Sequence, residues 1–90
     1  MRTTLASVRM PRFYFDLREG QLFAPDDDGL EFPDLGKAEQ EAIEAAASIG
    51  KDRLPRGDTR DVTIEVRNER RQRVVTVRVE LHIDRVHPEP

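Results

Sequence analysis

Cysteine and tryptophan are absent from this 90-residue sequence, and aromatic residues make up only 6% of it. The absence of cysteine excludes disulfide bonds, thiolate zinc sites and thiol nucleophiles. No segment approaches the roughly 20 apolar residues that a membrane-spanning helix requires. The first ten residues also lack the apolar stretch of a secretion signal. We therefore expect a cytoplasmic protein that makes no membrane contact.

The length allows one small core, because a chain of this size buries only about 60–65% of the surface that its unfolded form exposes. Hydrophobic and charged residues each make up 37% of the sequence, and the hydrophobic positions recur periodically. This periodicity predicts one folded domain over residues 10–86. Residues 1–9 are polar and aperiodic, so we expect a flexible N-terminal extension there and a short C-terminal tail at 87–90.

Two strands are predicted in the first third of the chain. Phe13, Phe15 and Leu17 alternate with polar residues, which indicates a half-buried strand. A second extended run covers residues 22–32. Pro25 lies within this run and confines the second strand to a sheet edge or a bulge, because proline has no N–H to donate to a neighbouring strand.

A helix is predicted from Leu35 to about Asp52. Asp34 precedes it and can accept hydrogen bonds from the amide groups of the first turn. Apolar residues recur at spacings of three and four and form one stripe along the helix: Leu35, Ala38, Ala42, Ala45 and Ile49, widened by Ile43 and Ala46. Gly50, within the last turn of this helix, is a candidate stop.

The last third of the chain predicts two more strands. Val62, Ile64 and Val66 alternate with polar residues, and a loop over Asn68–Gln72 leads to a fourth strand from Arg73 to about Val86. That strand buries five residues in this interpretation: Val75, Val77, Val79, Leu81 and Ile83. The order β-β-α-β-β predicts an α+β fold, with one amphipathic helix on one face of a four-stranded antiparallel sheet.

The uncovered face of this sheet is predicted to be polar and to face water, because one helix can shield only one face. It carries side chains of both charge signs, as expected for cross-strand pairs: Tyr14, Asp16, Arg18, Thr63, Glu65, Arg67, Thr76, Arg78, Glu80 and His82.

The run Met10–Gly20, with the sequence MPRFYFDLREG, resembles the opening of a family of short alphaproteobacterial proteins, common in rhizobia, that is described only as a domain of unknown function. The resemblance continues through Asp27–Leu35, the helix and the hairpin Val62–Val79, and it covers about Met10–Leu81. Members of the family usually carry a glycine near the position of Arg71. The resemblance implies the predicted fold and a bacterial origin, and it supplies no activity, cofactor or catalytic residue.

Three groups of residues could carry chemistry, and each lacks part of a site. The acidic loop Asp26–Gly29 lacks the ligand spacing and flanking helices of an EF-type calcium loop. His82 and His87 would lie roughly 16 Å apart along a strand, too far to share a metal. Carboxylates such as Asp16 and Glu65 have arginine neighbours, and no nucleophile accompanies a base. We therefore expect no enzyme activity, no cofactor and no metal site.

Nucleic-acid binding is an alternative function suggested by arginines at the predicted last hairpin, which could contact phosphates: Arg67, Arg70, Arg71 and Arg73. The predicted helix is acidic, the isoelectric point is about 5.4, and the uncovered face carries one aromatic side chain. These features count against a nucleic-acid partner.

The leading hypothesis is a non-enzymatic interaction module that self-associates through a strand edge. The fourth strand is predicted to extend beyond the third, so either the first strand or a second subunit pairs with the part that extends beyond it. An unpaired edge with apolar residues on one face is a liability that a homodimer resolves. We expect a homodimer, and a different protein partner at the same edge is the open alternative. The expected interface residues are Val79, Leu81, Ile83 and Val86.

Overall fold

The computed structural model describes residues 10–88, so the predicted extension at 1–9 and the end of the predicted tail lie outside the described residues. Its elements, in chain order, are β1 Arg12–Glu19, β2 Leu22–Ala24, β3 Leu30–Glu31, α1 Leu35–Arg53, β4 Asp61–Arg67 and β5 Arg73–Glu80. The antiparallel sheet has the order β2-β1-β4-β5, and β3 also pairs with β1. The predicted α+β fold, with one helix against an antiparallel sheet, is confirmed.

The core lies between α1 and the sheet. The helix packs on both β4 and β5, and its buried alanines allow a close approach because their side chains are small. Val62 and Val66 are the largest fully buried side chains, and each contributes roughly 1.5–3 kcal/mol relative to an exposed position. The main buried cluster consists of Phe13, Ala38, Ala42, Ala46, Ile64 and Val66.

The predicted helix, Leu35 to about Asp52, agrees with α1 at both ends, but Gly50 is not its stop. Asp34 caps the N-terminus, where its Oδ1 accepts a hydrogen bond from the Lys37 N–H at 2.8 Å. The helix continues through Gly50, which is buried. Val79 packs closely against it, since a Cβ at this position would lie 3.2 Å from Cγ1 of Val79. A 3₁₀ turn follows α1 and ends at Gly57, with φ at +82°. Within residues 10–88, no helix is long and apolar enough to cross a membrane.

The predicted second strand is divided into two short pieces on the same edge of β1. β2 pairs with the end of β1, β3 pairs with its beginning, and the segment Pro25–Gly29 separates them. The prediction that Pro25 confines this strand to an edge is therefore confirmed.

The predicted extent of the fourth strand is wrong. β5 ends at Glu80, whose partner Asp61 is the first residue of β4. Residues beyond Leu81 therefore have no β4 neighbour to pair with. Leu81 and Ile83 were expected to be buried, and they are 38% and 53% exposed.

Candidate functional site

β5 forms one edge of the sheet, and no strand within residues 10–88 pairs with its outer side. Its inner side pairs with β4 along almost the whole strand. The outer side of an edge strand presents unpaired N–H and C=O groups, which form a template for another strand. We define the β5 edge as the outer side of Arg73–Glu80 together with residues 81–84, and we take it as the candidate site.

One hydrogen bond shows which backbone groups of β5 point outward. The N–H of Leu81 donates to the C=O of Arg60 at 2.9 Å, so the backbone groups of Leu81 point toward the β4 side. This direction alternates along a strand, so Val79, Val77 and Val75 also point inward, up to the β-bulge opposite Arg67. In this regular part of β5, the outward N–H and C=O groups belong to Thr76, Arg78 and Glu80.

The two faces of the β5 edge differ in polarity. Val75, Val77 and Val79 lie on the helix side, where they are half-buried and pack against the core. On the opposite face, Nη1 of Arg78 lies 3.1 Å from Oε2 of Glu80, and both side chains are more than half exposed. A strand added at this edge would therefore meet an apolar row on one face and charged side chains on the other.

The helix contributes a second apolar surface beside β5. A Cβ at Gly50 would contact Val79, so this side of α1 faces β5. Ile43 and Ala47 precede Gly50 by seven and three residues, which places them on the same side of the helix. Both are exposed, Ile43 by 42%. The apolar surface of the β5 edge therefore continues onto α1.

The four residues of the predicted interface lie at the end of β5 and beyond it. Val79 is within the strand and half-buried, and Leu81 is the first residue after the strand. Ile83 and Val86 follow and are exposed, Val86 by 80%. The structure thus brings Val79 and Leu81 to the β5 edge, and their role in an interface stays a prediction.

The four arginines of the nucleic-acid alternative are divided between two environments. Nε of Arg67 lies 2.7 Å from Oδ2 of Asp16, and Nη2 of Arg73 lies 3.6 Å from Oε1 of Glu65. The other two are exposed in the hairpin loop. Nucleic-acid binding stays a prediction, and two of its four arginines already have carboxylate partners.

The prediction that the uncovered face is in contact with water is wrong for the centre of that face. Asp16, Thr63 and Glu65 are each less than 9% exposed. Ion pairs account for part of this burial, since Nε of Arg18 lies 3.8 Å from Oε2 of Glu65, and Arg67 contacts Asp16 as described above. The chain after β2 also approaches this face, where the N–H of Asp26 donates to Oδ1 of Asp16 at 2.9 Å.

The opposite edge of the sheet is closed by Asp26. Its Oδ2 accepts a hydrogen bond from the N–H of Phe15 in the gap between β2 and β3, and its Oδ1 accepts from the N–H groups of Asp28 and Gly29, all at 3.0 Å. Partial burial raises the pKa of this carboxyl, but the three hydrogen bonds together lower it more, so the pKa of Asp26 lies below its ordinary value. The side chain thus replaces a strand partner.

A surface cleft of about 260 Å³ lies near the C-terminal end of α1, and three of its polar side chains have partners within the chain. Nη1 of Arg53 lies 3.2 Å from Oε1 of Glu19, and the hydroxyl of Thr59 donates to the C=O of Asp61 at 2.9 Å. In the described part of the chain, no group of three or more His, Asp or Glu side chains is placed to hold a metal ion. We assign no chemistry to this cleft.

Sequence reasoning missed the contribution of α1 to the candidate site. Alternation in β5 separates its two faces, but it does not show which lateral edge of the sheet is free, because strand order is set by tertiary pairing. Ile43 was placed beside the apolar stripe of the helix. The signal that could have identified its position is its seven-residue spacing from Gly50.

A family model described as Domain of unknown function (DUF6894) matches residues 12–80. The chain belongs to this family. The DUF6894 match begins at the first residue of β1 and ends at the last residue of β5, so it includes every strand and the helix. Searches of curated proteins and of solved structures gave no match. The family description names no activity or ligand.

Proposed function

We propose that this DUF6894 domain is a non-enzymatic interaction module that self-associates through the β5 edge to form a homodimer. The observation that carries the proposal is the eight-residue outer side of β5, which has no strand partner within residues 10–88. The resemblance to alphaproteobacterial proteins makes a bacterial cytoplasm the setting of this proposal.

Three properties of the β5 edge favour the addition of a strand. Three alternate residues of β5 point outward and can donate and accept backbone hydrogen bonds, as in other proteins that bind a strand at a sheet edge. The apolar row of valines is only half-buried in the single chain. Leu81 and Ile83 follow this row in the chain and are exposed, and burying such a side chain contributes roughly 1.5–3 kcal/mol.

Size-exclusion chromatography with light scattering tests the proposal on the full chain. The chain mass is 10.4 kDa, and we expect a species of twice this mass as the concentration rises from micromolar to millimolar. The double variant Leu81→Ser/Ile83→Ser should shift the protein to the monomer. Because both side chains are exposed in the single chain, the variant should keep its circular dichroism spectrum and its fold.

The matched control is Leu22→Ser on the opposite edge of the sheet. Leu22 is 70% exposed in β2, so its replacement removes a similar apolar surface without altering the β5 edge. The control should remain a dimer. A full chain that stays monomeric at millimolar concentration would contradict the proposal, as would a dimer that Leu22→Ser dissociates and the double variant does not.

A further inference from the structure

We infer that the second copy adds to the β5 edge in antiparallel orientation, about a two-fold axis at Val79. This inference rests on the proposed self-association and specifies its register. In a two-fold interface every contact is reciprocal, so the position of the axis determines all opposing residues. With the axis at Val79, Val77 of one copy lies opposite Leu81 of the other, and Val75 lies opposite Ile83.

The direction of the backbone groups limits the registers that are available. From Val75 to Leu81, only even-numbered residues point their N–H and C=O groups outward, as the bond from Leu81 to Arg60 shows. Two residues that exchange backbone hydrogen bonds must both point toward each other. Even-numbered residues therefore oppose even-numbered residues. This arrangement places the apolar rows and the helices of the two copies on the same face of a continuous sheet.

Among axes at residues 77–81, charge favours one. An axis at Arg78 or at Glu80 would set a charged residue opposite its own copy, and like charges directly opposite are destabilising. An axis at Val77 would set Arg78 opposite Thr76, and an axis at Leu81 would set Val77 of the apolar row opposite Arg85. Of the five axes from 77 to 81, only Val79 sets Arg78 opposite Glu80 in both directions and aligns apolar residues along the other face.

The position of α1 fits the same arrangement. The helix packs on β4 and β5 together, so it lies over the space between them. Neighbouring strands are about 4.8 Å apart, so two helices related by an axis outside β5 would lie about two strand spacings, roughly 9.6 Å, apart. Packed helices are typically about 8–10 Å apart. Ile43 and Ala47, which are exposed in the single chain, would then lie between the two helices.

Disulfide trapping tests the axis directly, because the chain has no cysteine of its own. The variants Val79→Cys and Val77→Cys change two half-buried residues on the same face of β5. Across the proposed axis, the two Cα atoms of position 79 lie about 4.5 Å apart, within the roughly 4.4–6.8 Å that a disulfide spans. The two Cα atoms of position 77 lie about 13 Å apart. After mild oxidation, Val79→Cys should become a covalent dimer and Val77→Cys should not.

A charge exchange at two exposed positions gives an independent test. Arg78→Glu alone, or Glu80→Arg alone, sets like charges opposite each other twice and should weaken the homodimer by about tenfold in Kd, which corresponds to about 1.4 kcal/mol. An equimolar mixture of the two variants restores opposite charges at every pair. The mixture should form a heterodimer as tight as the original homodimer, whether or not the cysteine variants fold.

The outcomes separate the register from the proposed function. A covalent dimer of Val77→Cys, with Val79→Cys remaining reduced, would overturn the axis at Val79 and leave association at the β5 edge intact. A mixture of the charge variants that is no tighter than either variant alone would also overturn the axis. A full chain that is monomeric by light scattering would overturn both the register and the association.

Discussion

The edge formed by β2 and β3 is divided into strands of three and two residues, whereas β5 presents eight consecutive residues. Pro25 begins the interruption, and the carboxylate of Asp26 accepts the hydrogen bond of the Phe15 N–H that a longer strand would have accepted. Very short strands, proline and side chains that cover an edge are features by which proteins prevent edge-to-edge pairing. These features lie at one edge, and the regular part of β5, Val75–Glu80, has none of them, which favours β5 as the edge that pairs.

The largest effect is expected at Gly29, where the closed edge folds back on β1. Its φ is +70°, and a Cβ there would lie 2.8 Å from the backbone oxygen of Phe13 and 2.9 Å from Cε2 of Tyr14. Gly29→Ala combines backbone strain with a steric clash and should lower the free energy of unfolding by about 3–4 kcal/mol. Urea denaturation measures this change.

Gly57→Ala is the control, because Gly57 also has a positive φ of +82° but no heavy atom within 4 Å of the added Cβ. It should lose only about 1–2 kcal/mol, the cost of the left-handed conformation alone. Equal losses in the two variants would contradict the account of a tightly packed closed edge.

The next largest effect is expected from Arg67→Ala. This change leaves Asp16 buried without its ion-pair partner, and removing one member of a buried pair typically costs about 3–5 kcal/mol. Arg67 keeps about a third of its side chain exposed, so we expect a loss of about 2–3 kcal/mol in urea denaturation. The control Arg56→Ala removes an exposed pair with Asp52 and should lose less than about 1 kcal/mol. Equal losses in the two variants would contradict this account, because the ion pair with the buried Asp16 would then contribute no more to stability than an exposed pair.

Asp26→Asn tests the closed edge through pH. The pKa of Asp26 lies below the ordinary value of 3.8, so its contribution to stability is present at neutral pH and is lost as the pH falls through the lowered pKa. The variant should be less stable by about 1–2 kcal/mol at neutral pH, because asparagine offers one acceptor oxygen for three N–H groups. The urea midpoints of the original protein and of Asp26→Asn should differ at pH 7, and this difference should become smaller below pH 3. A constant difference would contradict this role of the carboxylate.

The smallest effect is expected in the β4–β5 loop, where Arg71 has a φ of +65°. Arg71→Gly relieves the strain of the left-handed conformation, but glycine gains more freedom in the unfolded chain, so the two effects nearly offset each other. We expect the free energy of unfolding to rise by less than about 1 kcal/mol, with the association unchanged. A loss of the dimer in this variant would place the loop within the interface.

The sequence predicted features that depend on neighbours along the chain. Asp34 was identified as the helix cap from its position before the apolar stripe, and its side chain makes the expected bond. Alternation placed Phe13 toward the core, and it also placed Val62 and Ile64 there, where all three are buried.

Features that depend on distant strands could not be predicted in this way. Gly50 resembles a helix stop in the sequence, and only the approach of Val79 from β5 shows that it is a packing position. Glu65 resembles an exposed strand residue, but arginines from two other strands cover it. The exposure of Leu81 depends on where β4 begins.

Residue-specific amide hydrogen exchange, measured by NMR at low and high protein concentration, tests the central claim most directly. The N–H of Val77 points toward β4 and should exchange slowly at both concentrations. The N–H groups of Thr76 and Arg78 point outward, and they should exchange rapidly in dilute protein and slowly in concentrated protein, when a second copy pairs with them. Rapid exchange of both outward groups at every concentration, in a chain whose Val77 amide remains protected, would contradict association at the β5 edge.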